Sequence, residues 1–416
     1  MNTLLKSVTI VDKTSVFHNN KVDLLIENGI ISNIDFNINN PKNYKEIDLT
    51  NLHVSRGWFD SSVCFGEPGF EERETIINGL KVASMSGFTS IALQPNTNPI
   101  SKNRSQIEYI KNKSINELVE IYPIGALTKS NLELTEMYDM KNGGAICFGD
   151  YKTSITNPNT LKLALLYTAN FDGIILSYPL DKVLSNNGVM NENITSTSIG
   201  LKGSPSFSEH VQIMRDLSIL EYTGGNLHIP TISTSKSVDM IREAKKKKLN
   251  VSCSVAVHNL FFSDNNLLDF NTNFKVLPPL RTKKDIQSLI DGVKDGTIDM
   301  VTSDHNPLNI ELKKTEFDNA EYGTIGLESF FGALNSIFST KMAIKILTNG
   351  KSLFNIPENK IEIGELANLT LFNPDKEYIF NKVDILSKSK NSIFENSKLR
   401  GIVYGTINKN KLSIHK

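Results

Sequence analysis

Hydrophobic and polar positions follow one pattern at the two ends of the chain and another pattern between them. Short apolar runs typical of strands occur at both ends, at residues 4–11, 22–26, 30–34, 369–374 and 401–406. Glu27-Asn28-Gly29 separates two of these runs, which indicates a hairpin turn. No helical period appears before Asp60. The two ends are therefore predicted to pack together as one small β-sandwich.

Between the two ends, strand patterns alternate with helical patterns. Residues 75–87 are a clear helix, with apolar side chains on one face and Gly87 just after its end. Eight strand patterns occur in this part, one before Asp60 and others at residues 89–93, 118–124, 144–148, 174–176, 227–229, 251–255 and 299–302. This alternation predicts an α/β protein with a (β/α)₈ TIM barrel. We predict a barrel at residues 56–360 and a β-domain built from residues 1–55 and 361–416.

Composition narrows the class of protein. The 45 basic and 45 acidic residues balance, so no bulk attraction to nucleic acid or to a membrane surface is expected. Three cysteines lie far apart and outside any C-x-x-C pair, which argues against a disulfide framework and a cysteine-rich zinc module. No apolar run is long enough to cross a bilayer, and no signal-peptide pattern is present. These features predict a cytoplasmic protein.

Candidate chemistry begins where the first barrel strand ends, because active sites of such barrels lie at the carboxyl ends of the strands. The segment after this strand reads Asp60-Ser-Ser-Val-Cys-Phe-Gly-Glu-Pro-Gly69. It resembles the dihydroorotase motif Asp-x-His-Val-His-x-Arg-Glu-Pro-Gly, whose two histidines point the same way and bind one metal ion. Ser62 and Cys64 stand at the histidine positions, and Gly66 stands at the arginine position.

Other segments extend the resemblance to dihydroorotases over nearly the whole chain. Gln94–Pro99 is similar to the family's Pro-Asn-Thr-x-Pro segment, which implies that Asn96 is a vestigial substrate-binding residue; an ordinary Asx turn is the alternative. Residues 188–205 match the family's long loop. Thr302–Leu308 matches Thr-Asp-His-Ala-Pro-His, which implies that Asp304 is a vestigial general acid/base.

The resemblance also implies where a metal ion would be held. These positions are Ser62, Cys64, Asp150, Tyr178, Thr231 and Asp304. Four of them have lost a histidine, and the sequence leaves open whether Asp150 or Tyr151 takes the family's acidic ligand position. Lys152 lies one residue beyond that pair, which argues against a bridging role for it. Leu277 and Leu308 replace further substrate-contacting residues. We therefore expect no bound metal, although active relatives use zinc.

Two hypotheses follow from these changes. The first is a catalytically inactive dihydroorotase homologue of the pyrimidine biosynthesis type, kept as a structural or regulatory partner, for example of aspartate transcarbamoylase, and forming a homodimer. The second is an active cyclic-amide hydrolase of dihydroorotase, hydantoinase or allantoinase type with an altered or metal-free site. That site would use Asp304 with His305 or His258, and Cys64 as a further candidate. The loss of both metal and substrate positions favours the first hypothesis.

Overall fold

The computed structural model describes residues 1–40, 42–129 and 133–415. Its N-terminal part forms five strands, β1 (Thr3–Ile10), β2 (Lys21–Glu27), β3 (Ile30–Asp35), β4 (Lys45–Ile47) and β5 (His53–Arg56). The predicted hairpin joins β2 to β3, and both of its turn residues, Asn28 and Gly29, have positive φ angles.

The middle of the chain supplies the barrel. Its strands are β6 (Trp58–Val63), β7 (Phe88–Leu93), β8 (Glu120–Gly125), β9 (Cys147–Phe148), β10 (Ile174–Leu176), β13 (Asn226–Ile229), β14 (Val251–Ala256) and β15 (Met300–Thr302); a separate parallel pair, β11 (Met190–Asn191) and β12 (Gly203–Ser204), lies outside it. The eight barrel strands are parallel neighbours in chain order. A parallel bridge between Val63 and His305 joins the last strand to the first. The predicted barrel is confirmed.

Helices follow the barrel strands along the chain. They are α1 (Ile76–Met85), α2 (Arg104–Asn112), α3 (Met137–Gly143), α4 (Pro158–Thr168), α5 (Lys182–Ser185), α6 (Ile194–Ile199), α7 (Phe207–Thr223), α8 (Ser235–Lys246), α9 (Val257–Phe261), α10 (Lys283–Asp295), α11 (Leu327–Ile337) and α12 (Thr340–Leu353). Thr75 begins α1 by accepting a hydrogen bond from the Asn78 amide. None of the helices in the described ranges is long and apolar enough to cross a membrane.

The chain then returns to the N-terminal sheet. Strands β16 (Leu369–Ile379), β17 (Lys398–Asn408) and β18 (Lys411–Ile414) complete it, and β16 pairs antiparallel with β5. The resulting order is β18-β17-β16-β5-β1-β2-β3, with β4 beside β1. Side chains of both chain ends, including Leu5, Val22, Leu371 and Ile407, share one hydrophobic core apart from that of the barrel. The prediction that both ends form one β-domain is confirmed.

Asp60 fixes the junction where the barrel meets itself. Its carboxylate accepts hydrogen bonds from the Thr302 hydroxyl and from the Ser303 amide, so Asp60, inside β6, ties this strand to the end of β15. Burial raises the pKa of Asp60 to about 6. This residue therefore holds together the strand ends at which the predicted site residues lie.

Candidate functional site

Most of the predicted metal positions meet at one small cavity at the carboxyl ends of the barrel strands. The cavity has a volume of about 20 Å³ and is lined by Ser62, Gln94, Gly149, Asp150, Tyr151, Lys152, Leu176, Tyr178, Pro230, Thr231 and Asp304. Such a volume holds about one water molecule. Five of the six predicted positions are among these residues. The sixth, Cys64, is buried nearby, where Tyr151, Lys152 and Asp304 act on its thiol.

Lys152 and Asp304, which both line this cavity, form an ion pair. The Lys152 Nζ atom lies 2.7 Å from Oδ2 of Asp304, and the two side chains are 10% and 2% exposed. Burial raises the pKa of Asp304, whereas the Lys152 charge acts in the opposite direction. The Oδ1 atom of Asp304 is buried and has no hydrogen-bond partner within residues 1–40, 42–129 and 133–415. The expected acid/base carboxylate is therefore engaged by a cation of the protein itself.

Lys152 enters the site although its place in the sequence, one residue beyond the Asp150–Tyr151 pair, argued against a role there. Side chains alternate along a strand, but Lys152 lies beyond the end of β9 and has a φ of 47°. This left-handed conformation turns the chain, and the lysine side chain enters the cavity. The position of Lys152 along the chain therefore did not predict where its side chain lies.

Asp150 and Tyr151 have different surroundings. The Asp150 carboxylate accepts hydrogen bonds from the amides of Leu127 and Thr128, at 3.0 and 3.2 Å, and from the Thr128 hydroxyl. It therefore serves to hold the loop after β8. The Tyr151 hydroxyl faces Cys64 and Asp304 but makes no hydrogen bond of normal geometry. Of the two residues, Tyr151 is the one that reaches the centre of the site.

The side chains at the other predicted metal positions are uncharged. Burial raises the pKa of Cys64 to about 12, so its thiol stays protonated at neutral pH. Tyr178 has a buried hydroxyl without a hydrogen-bond partner, and burial raises its pKa well above the usual range. Thr231 has a φ of 49°, which is rare for a β-branched residue. Ser62 accepts a hydrogen bond from Gln94 at 3.1 Å.

The predicted substrate residue, Asn96, lies beside the same group of side chains. Its amide approaches the Cys64 thiol, and its Oδ1 atom is buried without a hydrogen bond. Burial raises the pKa of Cys64 more than this contact lowers it. The structure thus brings Asn96 close to Cys64, and its substrate-binding role stays a prediction.

The two histidines considered for an altered site have different partners. The His305 ring accepts a hydrogen bond from the Gly326 amide at 3.1 Å, at the beginning of α11. The His258 ring is fully buried, and in the described part of the chain neither of its nitrogens has a hydrogen-bond partner. Burial lowers the pKa of both rings to about 3, and the Lys152 charge contributes to the effect on His258. Both imidazoles are therefore neutral at physiological pH.

The motif residues that this chain retains support the scaffold. Glu67 accepts a hydrogen bond from the first amide of α1, at Ile76, and pairs with Lys113 at 3.2 Å. Gly69 has a φ of 100°, and a Cβ atom there would lie 2.3 Å from the Asn98 carbonyl oxygen. Only glycine fits this close approach without backbone movement. These retained positions shape the loops around the barrel mouth.

A second buried network holds the long loop at residues 188–205. The Arg281 guanidinium donates hydrogen bonds to Asn191 Oδ1 at 2.8 Å and to the Ser204 carbonyl at 3.0 Å. It also donates to Ser233, whose amide donates to Glu209. Arg281 is 2% exposed, so this network is closed to solvent. The residues of this network lie in segments that match the family pattern, and their hydrogen bonds hold the long loop in place.

Comparison with known proteins identifies the family of this chain. A model of the dihydro-orotase-like family matches residues 53–237. The dihydroorotase of Thermoanaerobacter sp. (strain X514) is 38% identical over 416 residues, covering 98% of this chain and 96% of that protein. The dihydroorotase of Pelotomaculum thermopropionicum is 36% identical over 98% of this chain and 97% of its own length.

Solved structures support the same fold. The L-hydantoinase (dihydropyrimidinase) from Arthrobacter aurescens has a TM-score of 0.85 at 19% identity, covering 100% of this chain and 96% of that one. The dihydropyrimidinase from Brevibacillus agri also has a TM-score of 0.85 at 19% identity, covering 100% and 95%. At that identity the match concerns the fold alone. The long alignments with dihydroorotases at 36–38% identity carry the assignment: this chain belongs to the dihydroorotase family.

Proposed function

We propose that this chain is a catalytically inactive dihydroorotase homologue that serves as a structural or regulatory partner in pyrimidine biosynthesis. The observation that carries the proposal is the closed barrel mouth. A cavity of about 20 Å³ lies where the predicted ligands meet, against roughly 300 Å³ or more for pockets that bind small molecules. The Lys152–Asp304 ion pair lies among the residues that line it.

The donor groups at this mouth do not fit a hydrolytic zinc ion. Zinc binds neutral imidazoles, thiolates and carboxylates, usually four at a time. Here Cys64 is a protonated thiol, Asp304 is paired with Lys152, and Asp150 is bound to a loop. In the described ranges, no three His, Cys, Asp or Glu residues lie close enough together to hold a metal ion. We therefore derive no catalytic step through zinc.

The substrate side of the site supports the same proposal. Gly66 stands where the family has an arginine, and its φ is 88°. A Cβ atom there would lie 2.6 Å from the Phe70 carbonyl oxygen, so this loop has no room for a longer side chain without backbone movement. Leu308 is 4% exposed and offers no hydrogen bond from its side chain to a carboxylate. These positions no longer supply the anchors that the resemblance implies.

Apolar side chains exposed on two neighbouring helices support a partner role. Helices α4 and α7 pack against each other, and large apolar side chains are exposed on both: Leu163, Leu166, Tyr167, Phe207, Met214 and Tyr222. Exposed apolar patches on a folded protein commonly mark interaction sites. We propose that the protein forms a homodimer and that aspartate transcarbamoylase is one candidate partner.

One observation favours the alternative of an active cyclic-amide hydrolase with an altered site. Asp304 Oδ1 and both nitrogens of His258 are buried without hydrogen-bond partners among the residues that the structure describes. Buried polar atoms without partners are uncommon, and a catalytic role is one explanation for them. In this alternative, Asp304 would act as a general base. Base catalysis alone contributes about 10²–10⁴-fold, well below the acceleration typical of enzymes.

One set of assays distinguishes the two functions. The native protein, purified from its host without chelator, is assayed with dihydroorotate, hydantoin and allantoin, and its zinc content and co-purifying proteins are determined. We expect well under one zinc per chain and no turnover. Turnover that is abolished by Asp304→Asn would overturn the proposal in favour of the alternative.

A variant with four restored histidines extends this test. It carries Ser62→His, Cys64→His, Tyr178→His and Thr231→His and is assayed with added zinc. We expect it to remain inactive, because Gly66 and Leu308 still supply no substrate anchor. Turnover comparable to that of an active relative would contradict the argument from substrate anchoring.

A further inference from the structure

The Lys152 side chain is the positive charge at the centre of the site. Its Nζ atom is 2.7 Å from Asp304 Oδ2, and its side chain is 10% exposed. Its charge also acts on Cys64 and on His258, so its field reaches residues from three different strand ends. The Tyr151 ring, whose centroid lies 5.4 Å from Nζ, covers the ammonium group from another direction.

We propose that the Lys152 ammonium group takes over the structural role that a metal ion would have at this barrel mouth. The group is a covalently attached cation that neutralises Asp304 and links the loop after β9 to the loop after β15. This inference concerns the same site as the proposed function and rests on it for the absence of a working metal centre. It adds the identity of the group that keeps the site folded.

The need for a cation follows from the burial of Asp304. An ionised carboxylate without a partner is costly in the interior, and breaking a buried pair by removing one partner is strongly destabilising. Asp304 is 2% exposed and its Oδ2 atom lies 2.7 Å from Lys152 Nζ. The pair therefore supplies the counter-charge that this buried carboxylate needs.

The tether gives this cation properties that a bound metal ion lacks. A lysine cannot dissociate or be extracted by a chelator, so the site forms without an ion supply. Its charge also repels any divalent ion that approaches Asp304. Lys152 thus accounts for a closed, stable barrel mouth in which hydroxyl and thiol groups occupy the places expected for metal ligands.

A double-mutant cycle tests the inference by stability rather than by activity. Lys152→Met removes the charge and keeps an unbranched apolar stem, while Asp304→Asn removes the opposite charge and tolerates a positive φ. We expect each single substitution to lower the folding equilibrium constant by roughly 10²–10³-fold. The double variant is expected to recover most of that loss, because neither charge is left unpaired.

A second ion pair in the same barrel serves as the matched control. Lys245 contacts Asp299 at 2.7 Å, but these side chains are 26% and 21% exposed. The cycle Lys245→Met with Asp299→Asn should give a coupling below about tenfold, since solvent screens this pair. Independent, additive losses for Lys152 and Asp304 would overturn the inference. So would failure of both Lys152→Met and the double variant to fold, because Lys152 would then act by packing.

Metal removal provides a separate readout. Dialysis against EDTA should leave the urea unfolding midpoint of the unmodified protein unchanged. A lower midpoint that ZnCl₂ restores would overturn the inference, because a metal ion would then hold the site. The two proposals fail separately: turnover by the unmodified protein contradicts the proposed inactivity, whereas additive losses in the cycle contradict only the role of Lys152.

Discussion

His258 is one of three buried histidines, with His228 and His305, that make the barrel sensitive to acid, and its contribution can be isolated. The His258 ring is fully buried and has no hydrogen-bond partner among the described residues. Burial together with the Lys152 charge lowers its pKa from 6.5 to about 3. The unfolded chain therefore binds a proton that the folded protein does not bind between these values. Stability from this group is complete above pH 6.5 and is lost progressively as the pH falls toward 3.

The size of the effect follows from the same values. One pKa unit corresponds to about 1.4 kcal/mol, so the full penalty near pH 3 is roughly 5 kcal/mol. At pH 5, which is about 1.5 units below the unfolded-state pKa, the penalty is about 2 kcal/mol. We expect His258→Leu to remove it. At pH 8 the variant should differ from the unmodified protein by less than about 1.5 kcal/mol, because the side chains are of similar size.

Urea unfolding at pH 8 and pH 5 provides the assay, followed by the fluorescence of Trp58, the one tryptophan of the chain, which is fully buried. Between these pH values the unmodified protein should lose about 2 kcal/mol more than the variant. His228→Leu is the control: burial lowers the pKa of His228 to about 3 as well, but its ring is hydrogen-bonded to Ser252 and Ser254, so its removal also costs these bonds. That control should be destabilised already at pH 8. Equal losses with and without His258 would refute the reasoning.

Two further predictions concern backbone strain and the buried network. Thr231→Asn should raise the free energy of unfolding by about 1 kcal/mol, because asparagine tolerates the positive φ better than a β-branched residue does; a lower urea midpoint would contradict this. Arg281→Met should cost about 3–5 kcal/mol, because it leaves Glu209 buried beside unpaired acceptors. It should also speed amide exchange at residues 188–205, and unchanged protection there would count against the role of Arg281.

The barrel was predictable because its signal is repeated and local. Each strand is a short apolar run and each helix has its own period, so the alternation survives changes at single positions. Glu67 and Gly69 were recognised by their match to the family motif, and each has a structural role. Glu67 accepts a hydrogen bond from the first amide of α1, and the Asn98 carbonyl leaves no space for a side chain at Gly69. The motif residues Glu67 and Gly69, which this chain retains, thus stabilise the structure.

The interior of the site was less predictable because it depends on side-chain direction. The sequence could show that histidines are missing at Ser62, Tyr178 and Thr231, but not what replaces their charge. Lys152 has a φ of 47°, a conformation that is uncommon for residues other than glycine, and its side chain enters the cavity. The spacing of residues along the sequence does not predict this conformation. The side-chain direction of Asp150 was also not predictable from the sequence. Its carboxylate accepts hydrogen bonds from two backbone amides in the loop after β8.

The pairing of β5 with β16 has a consequence for synthesis on the ribosome. Residues 57–368 separate these two strands, so the N-terminal strands emerge long before their partner exists. At about 5–20 residues per second, the wait is roughly 15–60 s. During this time the edge of β5 presents unpaired backbone groups, which is a hazard for aggregation. The barrel strands are complete before β16 is made, so the β-domain is the last part of the chain that can finish folding.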